Sequence, residues 1–198
     1  MRTSVVVRVA VATAAVLAGM TALAGPAGAM RPAPTHSRSD FEIDFMADTI
    51  DHHFLALKMA QMCLDKATPA PPGSDTRLRE LCQANLEDQT REIAKLQSWL
   101  RDWYGISKRP MLPPNGDDML AMLRSRRGEA FDMAIAQAFI QHHLKFLPRA
   151  DRCRDTASHD VLRNLCDTMF RTQRAQIESF ERVFDQHAAM PQSGPSQA

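Results

Sequence analysis

Two adjacent histidines occur twice in this chain, as His52-His53 and as His142-His143, each pair inside a stretch whose apolar residues recur at helical spacing. This pattern points to a duplicated helical unit that presents imidazole from its first helix. The dyads lie 90 residues apart, and at that offset Phe41 meets Phe131, Ile50 meets Ile140, Leu57 meets Leu147, Ala60 meets Ala150 and Cys63 meets Cys153. With the offset reduced to 84, Leu78, Leu81, Cys82, Gln89 and Ile93 fall on Leu162, Leu165, Cys166, Gln173 and Ile177. Two helices per unit and two units predict an all-α four-helix bundle made of two hairpins.

The N-terminus bounds where such a bundle works. Arg2 and Arg8 precede an uncharged stretch from Val9 to Ala29, closed by Ala27-Gly28-Ala29, so residues 1–29 read as an export signal and the protein as secreted or extracytoplasmic. Once that segment is removed, nothing in the chain calls for a membrane. Without Arg2 and Arg8 the chain carries 22 basic and 23 acidic residues, a formal charge of −1 that leaves no basic footprint for nucleic acid. Four cysteines in an exported chain usually pair, and their placement in the repeat predicts Cys63 with Cys82 and Cys153 with Cys166. A metal site containing cysteine is the competing reading.

Local signals divide the chain further. Residues 30–38 form a Pro-rich, disordered lead. Ser39-Asp40-Phe41-Glu42 has the form of a capping box and opens helix one, which runs to about Lys66 before three prolines and a glycine. Ser74 is the expected cap of helix two, which ends near Tyr104 at Gly105, so repeat one spans 39–104. The linker over 105–128 holds a short helix opened by Asn115-Gly116-Asp117-Asp118, whose apolar residues cover one end of the bundle. Repeat two spans 129–189, with Pro148 inside helix three and Ser158 as the expected cap of helix four; 190–198 is a flexible tail.

The chemistry-bearing residues fall on helix one. His52, Ala56, Met59 and Cys63 share a face, Asp48 lies one turn before His52, and Met46 lies seven residues before His53. Imidazole binds copper, zinc or nickel, thioether selects Cu(I), and a carboxylate favours zinc or Cu(II). His52, His53, Met59, Met46 and Asp48 are therefore the candidate metal ligands, with copper preferred to zinc. Met62, Met119, Met122, Met133 and Met169 are assigned to packing.

The stretch His52-His53-Phe54-Leu55-Ala56-Leu57-Lys58-Met59-Ala60, followed by Gln89-Thr90-Arg91-Glu92-Ile93 and Trp99-Leu100, resembles the signature of the domain of unknown function family 305. The resemblance covers both repeats as tandem copies. It implies a ferritin-like bundle, an exported protein and, as for some relatives, copper binding. It also implies a polar pair, Gln89 and Glu92, that orients the imidazoles from helix two. Thr49, Asp51 and Leu96 depart from that pattern. In repeat two Arg149 stands where Met59 does and Gln176 where Glu92 does, leaving His142, His143 and Gln173 as second-repeat candidates. Arg149 would repel a nearby cation unless its stem carries the charge outward.

Catalysis is not expected: the chain has no Glu-x-x-His pair for a di-iron centre and no nucleophile elbow. The leading reading is an exported bundle that sequesters or carries a transition metal. The alternative is a metal-free secreted interaction or scaffold protein whose histidines are polar core elements. Assembly into a homo-oligomer is compatible with either.

Overall fold

The computed structural model describes residues 37–69 and 78–189. These form five helices and no strand: α1 (Arg38–Lys66), α2 (Leu78–Tyr104), α3 (Gly116–Ser125), α4 (Gly128–Thr156) and α5 (Asp160–Ala189). Helices α1 and α2 form one hairpin and α4 and α5 the other, while α3 packs against α1 and α4. The expected signal, the Ser74 cap and the tail over 190–198 lie outside the described residues, as does the lead except for 37 and 38.

The first helix starts earlier than its sequence suggested. Ser37, not Ser39, is the N-cap of α1, and its partner in a reciprocal capping box is Asp40. Glu42, expected to reach back to the cap, is fully buried and points elsewhere. Its Oε1 accepts the backbone N–H groups of Ser158 and of His159, the latter at 2.9 Å, just before α5. The expected Ser158 cap is corrected accordingly: α5 begins at Asp160, the His159 carbonyl accepts its first bonds from Leu162 and Arg163, and Ser158 gives its backbone N–H to Glu42.

Residue 132 occupies the position equivalent to 42 in repeat two, and there Asp132, also buried, accepts the backbone N–H of Thr68 at 3.3 Å and its hydroxyl. Thr68 is the counterpart of Ser158. Each hairpin thus closes the turn of the other with a carboxylate.

The remaining boundaries follow local chemistry. Gly105, at φ 68°, ends α2 and donates to the Arg101 carbonyl, a conformation that residues with a Cβ rarely adopt. At the far end of α3, Lys66 Nζ donates to the carbonyls of Leu123, Arg124 and Arg126, fastening that helix to α1. Leu120 and Leu123 enter the core, but Met122, expected to pack, is 38% exposed because it falls on the outer face of α3. Helix α4 continues through Pro148.

Two disulfides, Cys63–Cys82 and Cys153–Cys166, each staple one hairpin internally. Their loops span 19 and 13 residues, so replacing either pair by serine is expected to cost about 3 kcal/mol through the freed unfolded chain. Urea unfolding of Cys153→Ser/Cys166→Ser measures this; an unchanged midpoint at an unchanged slope would show that the bridge constrains nothing.

Apolar packing is divided into two clusters. One contains Met59, Leu123, Phe131, Phe139 and Phe180; the other contains Phe45, Met46, Leu96, Phe146 and Met169. On every long helix the clusters are separated in sequence by buried polar residues.

Candidate metal centre

The residues between the clusters are Thr49 and His53 on α1, Asn85, Gln89 and Glu92 on α2, His142 and His143 on α4, and Gln173 on α5, all buried. They form a polar layer at mid-height of the bundle. Burying such groups is costly unless they are paired. Part of the layer is paired: Gln89 Nε2 donates to Asn85 Oδ1 at 2.8 Å, and Asn85 Nδ2 donates to Gln176 Oε1 at 3.1 Å and faces His143 Nε2 at 3.0 Å. Asn85 therefore ties the first hairpin to the second.

The imidazoles meet where α1 faces α4. His52 stacks on its repeat counterpart His142 with ring centroids 3.6 Å apart, while His52–His53 and His142–His143 centroids lie 5.8 Å and 5.7 Å apart. Phe146 closes the cluster, stacked on His52 at 5.0 Å and edge-on to His53 at 5.2 Å. Helical spacing places each dyad on a helix face, and the departures at Arg149 and Gln176 favour the first repeat as the site; the packing brings both dyads into one cluster.

Ring nitrogens are left over in that cluster. His52 Nδ1, His53 Nδ1, His142 Nε2 and His143 Nδ1 are buried without a hydrogen-bond partner. Glu92 Oε2 stands 2.8 Å from His53 Nε2 as an ion-pair contact, while that nitrogen makes no hydrogen bond. Gln173 lies against His143 without completing one either, although this contact partly favours a charged His143.

Burial, reinforced by the mutual repulsion of the rings, holds three of the histidines unprotonated. For His52 the largest cause is burial, followed by His53, Arg149 and His143; for His142 it is burial followed by His52 and the other rings. Both are held well below the usual imidazole range, and His143 is pushed down to about 3 by burial and His53. An unprotonated imidazole is the form that ligates a metal.

The other candidates divide. Met46 and Met59 are fully buried, one in each apolar cluster, flanking the layer from opposite sides. Asp48 is exposed and pairs with the Arg149 guanidinium at 2.9 Å. Arg149 thus carries its charge to the rim, where a carboxylate neutralises it. Among the described residues, no three His, Cys, Asp or Glu side chains already converge as a metal cage.

Sequence reasoning missed Asn85, whose counterpart in repeat two is Met169, so the repeat gave no signal for it. It also missed a second polar cluster, in which His159 Nδ1 lies 2.7 Å from Glu42 Oε2, the Tyr104 hydroxyl donates to the same oxygen, and Trp103 stacks on His159 at 3.8 Å.

A duplicated all-α hairpin bundle with an imidazole-bearing polar layer is the class that this fold and layer define. The sequence matches the model of the family described as Domain of unknown function (DUF305) over residues 10–100 and 42–184, and the chain belongs to that family. Solved structures of CopM share the fold. The Cu(I)-bound form is 23% identical and covers 74% of this chain and 96% of that chain, with a TM-score of 0.62. The Cu(II)-bound form is 26% identical, with 73% and 97% covered and a TM-score of 0.59. The apo form is 22% identical, with 73% and 96% covered and a TM-score of 0.59. No curated protein matches the sequence.

Proposed function

We propose that this protein binds a transition metal, copper in preference to zinc, through the His52, His53, His142 and His143 cluster, and sequesters or carries it outside the cytoplasm without catalysing a reaction. The observation that carries this reading is the gathering of four imidazoles from both repeats with buried nitrogens that no protein group satisfies. A cation accepting those lone pairs removes an unsatisfied-group cost that the bare layer retains. Met59 and Met46 flank the layer as thioethers suited to Cu(I), and Gln89, Glu92 and Gln173 orient the rings. Asp48 serves the rim through Arg149. The likeness to copper-bound and silver-bound CopM supports the choice of metal. Two disulfides support an oxidising compartment, and among the described residues no helix is long and apolar enough to cross a membrane.

A metal-free secreted scaffold is the second reading, favoured by the absence of a ready-made cage among the described residues and by the amide links of Asn85. Copper titration separates the two. The purified protein is expected to take up Cu(I) stoichiometrically, and His52→Ala/His142→Ala to lower the affinity by at least tenfold while circular dichroism stays helical. Unchanged uptake in that variant excludes the cluster, and no uptake by the parent protein leaves the scaffold reading.

A further inference from the structure

His52 differs from the other three rings in its exposure: it is half-buried and lines a cavity of about 710 Å3 that opens to solvent. The opposite wall is the linker between the repeats, from Met111 to Asp118. That wall is fixed in place by Asp51, the neighbour of His52, which accepts the Lys108 ammonium at 2.6 Å and the Met111 backbone N–H at 2.8 Å. The left-handed turn at Asn115, φ 63°, then starts α3 with Asp117 and Asp118 on the cavity.

The charges on this cavity are unequal in their commitments. Asp51 is satisfied by Lys108, and Asp48 by Arg149. Asp117 and Asp118 are exposed, and neither is hydrogen-bonded or ion-paired with a described residue. Met111 is 58% exposed, the largest exposure among the large apolar side chains that stand out on this surface. Its thioether lines the same cavity as the two carboxylates. Behind them stands His52, with a buried nitrogen that lacks a partner and with the fully stacked His142 ring beneath it.

Resting on the reading that the imidazole cluster binds metal, we propose that this cavity is the entrance to it. Asp117 and Asp118 attract an aqueous cation, the Met111 thioether gives soft monovalent ions a first contact, and His52 takes the ion inward. Like-signed carboxylates at the mouth of a low-dielectric recess raise the local cation concentration and the association rate, an effect that salt screens. Arg149 opposes them from the rim and sets a penalty that Asp48 reduces. The thioether acts differently, through softness and not charge, and so discriminates between ions.

Stopped-flow uptake of aqueous Cu(II) and aqueous Ag(I), followed by depletion of a metallochromic indicator, tests the route. The signal of the His52→Ala/His142→Ala variant is subtracted to remove binding at other histidines. Asp117→Asn/Asp118→Asn is expected to slow Cu(II) uptake about threefold to tenfold at low salt, with the difference vanishing at high salt. Met111→Leu is expected to slow Ag(I) uptake and leave Cu(II) uptake unchanged. Arg149→Ala is expected to accelerate both. All these residues are at the surface, so the folded state and the final metal content should match the parent. Unchanged rates in all three variants, with affinity still lowered in the histidine variant, overturn the entrance and leave the metal-binding reading intact. No subtractable uptake by the parent overturns both.

Discussion

Between about pH 7.5 and pH 5.5 the metal-free protein is expected to lose on the order of 4 kcal/mol of stability, a large part of what a domain of this size possesses. Three histidines of the polar layer bind protons below their ordinary range in the fold: burial first, then neighbouring rings, depresses His52 and His142 well below 6.5 and His143 to about 3. In the unfolded chain the same rings take up protons as pH falls through 6.5. Their depressed folded pKa means that the contribution is complete above the unfolded value and is lost progressively below it. Each ring then costs roughly 1 kcal/mol per pH unit. Urea unfolding at several pH values measures the slope, and His143→Gln should remove about a third of it. A midpoint that stays flat across this range would mean that the rings are not held unprotonated by the bundle.

The second large effect is at Glu42. Glu42→Ala is expected to destabilise by about 4 kcal/mol, because it leaves the Ser158 and His159 amides and the Tyr104 hydroxyl without their acceptor in a partly buried place. Burial alone would raise the Glu42 pKa, but the hydrogen bonds from Tyr104 and from the His159 and Ser158 groups outweigh it and leave the carboxyl lowered. Burial first, and then the same pairing, pushes the Tyr104 phenol well up. Since the folded carboxyl is the stronger acid, its contribution is present above the ordinary range near 4.5 and disappears as pH falls through the lower folded value. Acid therefore acts in two stages, histidines first and Glu42 later. Thermal unfolding of Glu42→Ala beside Asp132→Ala, which strands only the Thr68 donors, is expected to show the larger loss at position 42. Equal losses would remove the special weight given to the His159 end.

What could be read in advance follows from the range over which each signal acts. Apolar periodicity and the repeat act locally, so they placed the helices, the hairpins and the cysteine pairs. Ser37 and Ser39 both precede an acid by three residues, and spacing alone does not rank them. The choice is made by Ser158 and His159, more than a hundred residues away, whose amides claim Glu42 and leave Asp40 for the cap. The same applies to the histidines. Helical spacing states which face His52 occupies, yet the stacking partner on that face is supplied by α4, and nothing within either dyad encodes it. Asn85 and His159 have chemistry-bearing counterparts in neither repeat and so stayed silent. Arg149 was readable as a charge, but its escape to Asp48 depends on how α1 and α4 align.

The two crossed carboxylates have a wider meaning. Glu42 reaches Ser158 and Asp132 reaches Thr68, and these pairs are the same pair with the halves exchanged; His52 against His142 is a residue facing its own counterpart. Reciprocity of this kind is the mark of a twofold self-association. Each hairpin is stapled within itself and shares no disulfide with its neighbour. The chain thus has the form of a homodimer written as a single polypeptide. The two halves differ along that axis, Met59 in one standing where the other has Arg149, while both keep their histidines.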